Sequence, residues 1–106
     1  MPGSLRLLVL AGLAAGLAAA DAADFTVVQK DRAFSVKQLA VRIGDPVTFV
    51  NQDSVTHNIY SETKGLEFDV LQKPGTSHTV RFAQPGVAEV RCAIHPVMKL
   101  EVRVTP

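Results

Sequence analysis

The sequence predicts an all-β fold, a sandwich or barrel of short strands in one domain. Three observations predict it. The 106 residues allow one domain. After the first twenty or so residues, apolar and polar side chains alternate with period two in short runs. Gly, Pro and Asp separate those runs at the spacing expected of strands and turns.

The N-terminus stands apart from that pattern. Arg6 supplies a positive start, Leu7 to Ala20 is apolar with Gly12 and Gly16 inside it, and small residues run from Ala18 to Ala23 around Asp21. This is the pattern of a cleavable secretory signal peptide, residues 1–22. Ala20-Asp21-Ala22 is the preferred cleavage triplet and Ala18-Ala19-Ala20 the alternative. The apolar run falls short of the ~18 residues that argue a spanning helix, so no stable membrane insertion is expected. Residues 23–106 are then the folded domain, long enough for one core.

The strands follow in order. Phe25 to Gln29 is the first, and Asp31 to Phe34 a turn or irregular crossing. Leu39, Val41 and Ile43 alternate with Ala40 and Arg42 to give the second. Gly44-Asp45-Pro46 has good turn chemistry. Val47, Phe49 and Asn51 then alternate with Thr48 and Val50 as the third. Asn51 to Ser54 is a polar turn, and His57 to Tyr60 a short strand. Glu62 to Gly75, with Gly65, Pro74 and Gly75, is mostly loop, with Leu66, Phe68 and Val70 as a partial strand or plug. Alternation resumes at Thr79 to Phe82, and Ala83 to Gly86 is a turn. In Val87 to Cys92, the residues Ala88, Val90 and Cys92 share a face. In the last strand Met98, Leu100, Val102 and Val104 point inward and Lys99, Glu101 and Arg103 outward.

Chemistry concentrates in Cys92-Ala93-Ile94-His95-Pro96-Val97-Met98, where a thiol, an imidazole and a thioether lie within seven residues. A second imidazole, His57, lies upstream. Two His, one Cys and a weak axial Met are the ligands of a blue-copper electron-transfer site. Cys92 ends one strand and Met98 begins the next, both on the apolar face. Neighbouring strands would put both sulfurs at one end of the sandwich, with His95 between them. Pro96 stiffens the loop by fixing its own φ and restricting His95.

At these residues the sequence resembles the cupredoxins, the small blue-copper family, over essentially the whole mature chain. Gly44 to Asp53 is similar to the strand-turn-strand that leads to the family's first copper histidine, His57-Asn58 to that histidine with its asparagine, and Pro85-Gly86 to Cys92 to the strand leading to the copper cysteine. The short C-x-x-H-x-x-M spacing is most similar to the amicyanins; plastocyanins have longer loops. The resemblance implies a Greek-key β-sandwich with copper ligands His57, Cys92, His95 and Met98. It also implies a periplasmic one-electron carrier, monomeric, working between a donor dehydrogenase and an acceptor such as a c-type cytochrome. His95 would be the ligand nearest solvent, ringed by Ile94, Pro96 and Val97, and Asn58 the brace of the cysteine loop. The chain departs from the pattern at Thr56, Arg91, Ala93 and Ile94, none of them a ligand. With Ala93 after the cysteine, Asn58 lacks the hydroxyl partner found in many members.

Other readings carry less. A lone Cys in an exported chain forms no internal disulfide, and Cys is commonly a buried thiol. Zinc takes Cys and His but wants a fourth Cys, His or carboxylate ligand in structural sites, not Met. His78 reads as a surface or sheet-end residue, and Asp53, Glu62, Glu67 and Asp69 as solvated surface charge. Setting Arg6 aside, ten basic side chains stand against ten acidic ones, without the basic excess of a nucleic-acid binder. No Ser-His-Asp pattern is present, and an enzyme is not expected. The alternatives to electron carriage are copper storage or delivery, which the single Met98 outside the leader disfavours, and a purely structural β-domain.

Overall fold

Alternation along each run buries one face of nine strands, and the chain folds those faces against each other. The computed structural model describes residues 23–106; the expected signal peptide, residues 1–22, lies outside them. The strands are β1 (Phe25–Lys30), β2 (Ala33–Phe34), β3 (Gln38–Arg42), β4 (Pro46–Asn51), β5 (His57–Ser61), β6 (Phe68–Gln72), β7 (Ser77–Arg81), β8 (Gly86–Cys92) and β9 (Lys99–Thr105). They form two sheets, in the orders β2-β1-β4-β7 and β3-β9-β8-β5-β6. The described residues contain no helix.

The chain passes repeatedly between the sheets, so two pairs end up parallel, β1 with β4 and β3 with β9. The remaining pairs are antiparallel. The core lies between the sheets. Val27, Val47, Phe49, Ile59, Ala88, Val90 and Val102 are fully enclosed there. Phe49 of the first sheet packs on Phe68 of the second at a ring separation of 5.7 Å, and Phe68 meets Phe82 edge-on at 6.0 Å. Each such aromatic pair adds about 0.5–1.5 kcal/mol beyond the area it buries.

The fold class is the expected one, and three elements differ in detail. Asp31 to Phe34 is a hairpin. Lys30 pairs with Ala33 across a two-residue turn in which Asp31 and Arg32 both have positive φ, 51° and 57°. That is the hairpin turn that matches strand twist, normally given to Gly or Asn. Ile43 does not continue the inward row of Leu39 and Val41. It lies past the end of β3 and is 40% exposed. Within the expected loop Glu62 to Gly75, Phe68–Gln72 forms an edge strand in register with β5, Ile59 opposite Val70. The Gly and Pro residues there bound the strand and do not interrupt it. Leu66 is the buried plug ahead of it, 2% exposed.

Candidate metal centre

Strand parity places the donors. Ala88, Val90 and Cys92 of β8 are buried on one face, as are His57, Ile59 and Ser61 of β5. The two strands are antiparallel with Ile59 opposite Cys92, so the start of β5 and the end of β8 share one end of the sandwich. β9 returns beside β8, Arg91 opposite Lys99. The loop from Ala93 to Met98 closes that return. Met98 N–H donates to the His95 carbonyl at 2.9 Å, a tight turn with Pro96 at its second position, where its fixed φ fits.

Three donor atoms converge. His57 Nδ1 and His95 Nδ1 are 3.1 Å apart, Cys92 Sγ is 3.6 Å from the first, and Cys92 Sγ is 3.9 Å from the second. A triangle with those sides is acute, and its centre lies about 2.1 Å from every corner. Protein zinc, a first-row ion of the same charge, sits ~2.0–2.1 Å from imidazole nitrogen and ~2.3 Å from thiolate sulfur. His57, Cys92 and His95 are therefore spaced so that they would hold one such ion between them. Met98 is 1% exposed and ends the same loop on the core side. All four expected residues thus come to one end of the sandwich, with His57 and Cys92 buried and His95 partly exposed.

His95 opens to a rim of apolar side chains. Ile94 is 49% and Val97 77% exposed beside it, and Pro96 is also exposed. Burial lowers the His95 imidazole below its usual 6.5, and the neighbouring His57 ring and the Arg32 guanidinium lower it further, with Asp53 opposing.

Two neighbours depart from expectation. Asp53 is buried, not a solvated surface acid. Its Oδ2 accepts from His57 Nε2 at 3.0 Å and from Arg32 N–H at 2.8 Å, and its Oδ1 from Ser54 N–H at 2.9 Å. The Arg32 N–H lowers this carboxyl to about 2 against the effect of burial, with His57 and Ser54 adding to the lowering. The run of polar residues from Asn51 to Ser54 hides this, because burial there comes from folding back under β5. Asn51 fixes that fold: its side chain accepts Asp53 N–H at 2.8 Å and donates to the Val55 and Gln72 carbonyls at 2.9 Å each.

Asn58 braces the cysteine loop with its backbone. Its N–H donates to Cys92 Sγ at 3.3 Å and its carbonyl accepts Ala93 N–H at 2.9 Å. Its side chain turns away, donating to Asp69 Oδ1 at 2.6 Å and to the Val70 carbonyl at 3.2 Å. That is the partner it takes where Ala93 offers no hydroxyl. His78 is exposed on β7 opposite Phe49 and is not among the clustered donors, while Glu62 and Glu67 are exposed.

A family model described as the cupredoxin-like domain matches residues 3–104. The chain belongs to the cupredoxin-like family. Among curated proteins it is 32% identical over 68 residues to the methylamine utilization protein MauL of Methylorubrum extorquens, covering 62% of this chain and 60% of that one. It is 28% identical over 93 residues to amicyanin of Paracoccus denitrificans, covering 82% and 71%. Among solved structures it superposes on the purple cupredoxin of Nitrosopumilus maritimus with a TM-score of 0.68 and 26% identity, over 77% of this chain and all of that one. The match thus spans less than two thirds of MauL. Among the described residues no helix is long and apolar enough to cross a membrane.

Proposed function

We propose that this cupredoxin holds one copper ion with His57, Cys92, His95 and Met98 and carries single electrons between redox partners. The observation that carries the reading is the donor triangle, whose centre is one metal–ligand bond from two imidazole nitrogens and a thiolate. Softness selects the metal, since thiolate, thioether and imidazole together suit copper. Copper supplies a one-electron couple between Cu(I) and Cu(II). The chain's own part is to keep the donors in place through both states. Cys92 and His57 are fixed in antiparallel strands, and the His95 turn is closed by the Met98 N–H. Little then has to move when an electron arrives or leaves.

The exposed edge of His95, rimmed by Ile94, Pro96 and Val97, is the port through which a partner would exchange the electron. The partners we propose are a donor dehydrogenase and an acceptor such as a c-type cytochrome, met in the periplasm after export by residues 1–22. Copper delivery is the second reading. Buried His57, Cys92 and Met98 weigh against it, because delivery needs ligands that exchange readily.

Loading the mature chain with Cu(II) tests both. An intense thiolate-to-copper band in the red, retained through repeated ascorbate reduction and reoxidation, is the expected result. Rapid loss of Cu(I) to a chelator at neutral pH, without electron exchange, would favour delivery. Absence of the band would remove the copper reading.

A further inference from the structure

We infer that Asp53 is the positioning residue of this centre: its carboxylate sets which nitrogen of His57 faces the metal and shifts the couple toward Cu(II). The inference rests on the copper reading for its second half only.

An imidazole binds a metal through the nitrogen that carries no proton, and the partner of the other nitrogen decides which one that is. His57 Nδ1 belongs to the donor triangle, while Nε2 lies 3.0 Å from Asp53 Oδ2. A carboxylate accepts and cannot donate. The proton is therefore on Nε2, and the Nδ1 lone pair faces Cys92 and His95. Asp53 is itself held. Arg32 N–H shares Oδ2 at 2.8 Å, and Ser54 N–H occupies Oδ1 at 2.9 Å. The Asp53 N–H in turn is taken by Asn51 Oδ1 at 2.8 Å. At 8% exposure the carboxylate has little water to turn toward.

The pairing has an electronic consequence. A carboxylate that accepts the Nε2–H raises the basicity of Nδ1. A more basic nitrogen favours the higher charge, so Asp53 holds Cu(II) more strongly than Cu(I) and lowers the potential. The same Oδ2 ties the Asp31-Arg32 turn of the first sheet to a donor on the second. The β1–β2 hairpin is thereby linked to the orientation of the ring.

The test uses wild type, Asp53→Asn, Asp53→Glu and Arg32→Gly. Nitrogen-15 NMR of metal-free wild type should show His57 with its proton on Nε2 and slow exchange of that proton. Asp53→Asn should lose that signature, bind Cu(II) about 10–100-fold more weakly and show a higher potential. A tenfold loss confined to Cu(II) is ~59 mV for a one-electron couple. Arg32→Gly keeps the N–H that holds Asp53 and should leave the His57 ring unchanged. Asp53→Glu, which keeps the charge, should recover part of both readouts.

Wild-type His57 protonated on Nδ1 overturns the inference, as does a folded Asp53→Asn with unchanged ring and potential. If Asp53→Asn does not fold, the wild-type ring and Asp53→Glu decide. Wild type that takes up no copper overturns the copper reading, and the ring measurement then decides the positioning role by itself.

Discussion

The Asn58 N–H points at the Cys92 sulfur from 3.3 Å, and the Asn58 carbonyl takes the next N–H of the loop, that of Ala93, at 2.9 Å. This two-way link joins β5 to the end of β8. It gives the sulfur a defined orientation at the proposed copper centre. Cys92→Ser keeps the volume and the link but removes the soft donor. The red thiolate-to-copper band should vanish while the far-ultraviolet spectrum of a β-protein persists. A strong band surviving in the variant would mean that sulfur is not the ligand.

Met98 has two roles that separate by substitution. It is 1% exposed, so Met98→Ala should destabilise the metal-free protein by about 2–5 kcal/mol through the cavity left behind. Met98→Gln nearly conserves volume and brings a harder oxygen, which favours Cu(II). It should keep copper and lower the potential. Denaturant unfolding reads the first effect and voltammetry the second. An unchanged potential in Met98→Gln would restrict Met98 to packing.

Acid should weaken the metal-free protein in two windows. His95 has a lowered folded value, so the unfolded chain takes up its proton first as pH falls. Stability from this group is therefore full above ~6.5 and declines below it. Asp53, lowered from 3.8 to about 2, contributes above 3.8, and its part is lost as pH falls through about 2. Thermal melts of the metal-free protein from pH 8 to pH 2 should show both declines. His95→Gln should erase only the upper one; a profile identical to wild type would contradict the assignment.

That Cys92, His95 and Met98 come to one end of the sandwich was legible, because parity and spacing both bear on it. Cys92 falls on the buried face of its alternating strand, Met98 leads into the last and clearest one, and C-x-x-H-x-x-M fits a loop between neighbours. Asp53 was not legible. One side chain in a polar run carries no periodicity, and its burial depends on Asn51 turning the run back under β5. The edge strand Phe68–Gln72 was legible only as a partial strand or plug, for a related reason. Flanking Gly and Pro dominate the local signal, while the strand it pairs with lies upstream across the loop, Tyr60 opposite Asp69. The positive φ of Asp31 and Arg32 left no trace because neither is glycine.

That turn gives a stability prediction. A non-glycine residue in the left-handed region costs roughly 1–2 kcal/mol. Arg32 is held there, at φ 57°, with its N–H on Asp53. Arg32→Gly removes the strain and keeps the hydrogen bond, against a more flexible unfolded chain. A net gain of about 0.5–1 kcal/mol is expected. The melting temperature of the metal-free protein should rise accordingly, and a fall would show that the arginine side chain contributes more than the strain costs.

The outer face of the second sheet carries an unresolved electrostatic conflict. Arg91 stands directly opposite Lys99, and Glu89 directly opposite Glu101. Like charges facing each other across an antiparallel pair are destabilising, whereas opposite charges contribute roughly 0.2–1 kcal/mol. The side chains partly evade this along their own strands. Arg91 reaches Glu89 at 3.9 Å and Arg103 reaches Glu101 at 3.7 Å, but all four are largely exposed and such pairs are worth little. Exchanging two residues of one strand, Lys99→Glu together with Glu101→Lys, turns both cross-strand contacts attractive at unchanged composition and net charge. Because the sum of charges is constant, only the pairing differs between the proteins. The exchange should raise the melting temperature by a few degrees at low ionic strength, since about 1 kcal/mol shifts a domain of this size by ~4–8 °C. The gain should shrink in 1 M salt, where the screening length falls to ~3 Å. Either single substitution alone should give less than the pair, because each leaves one of the two like-charge contacts across the strands in place. A salt-independent gain would point to β propensity instead, and no gain at low salt would show that the exposed side chains already avoid each other in solution.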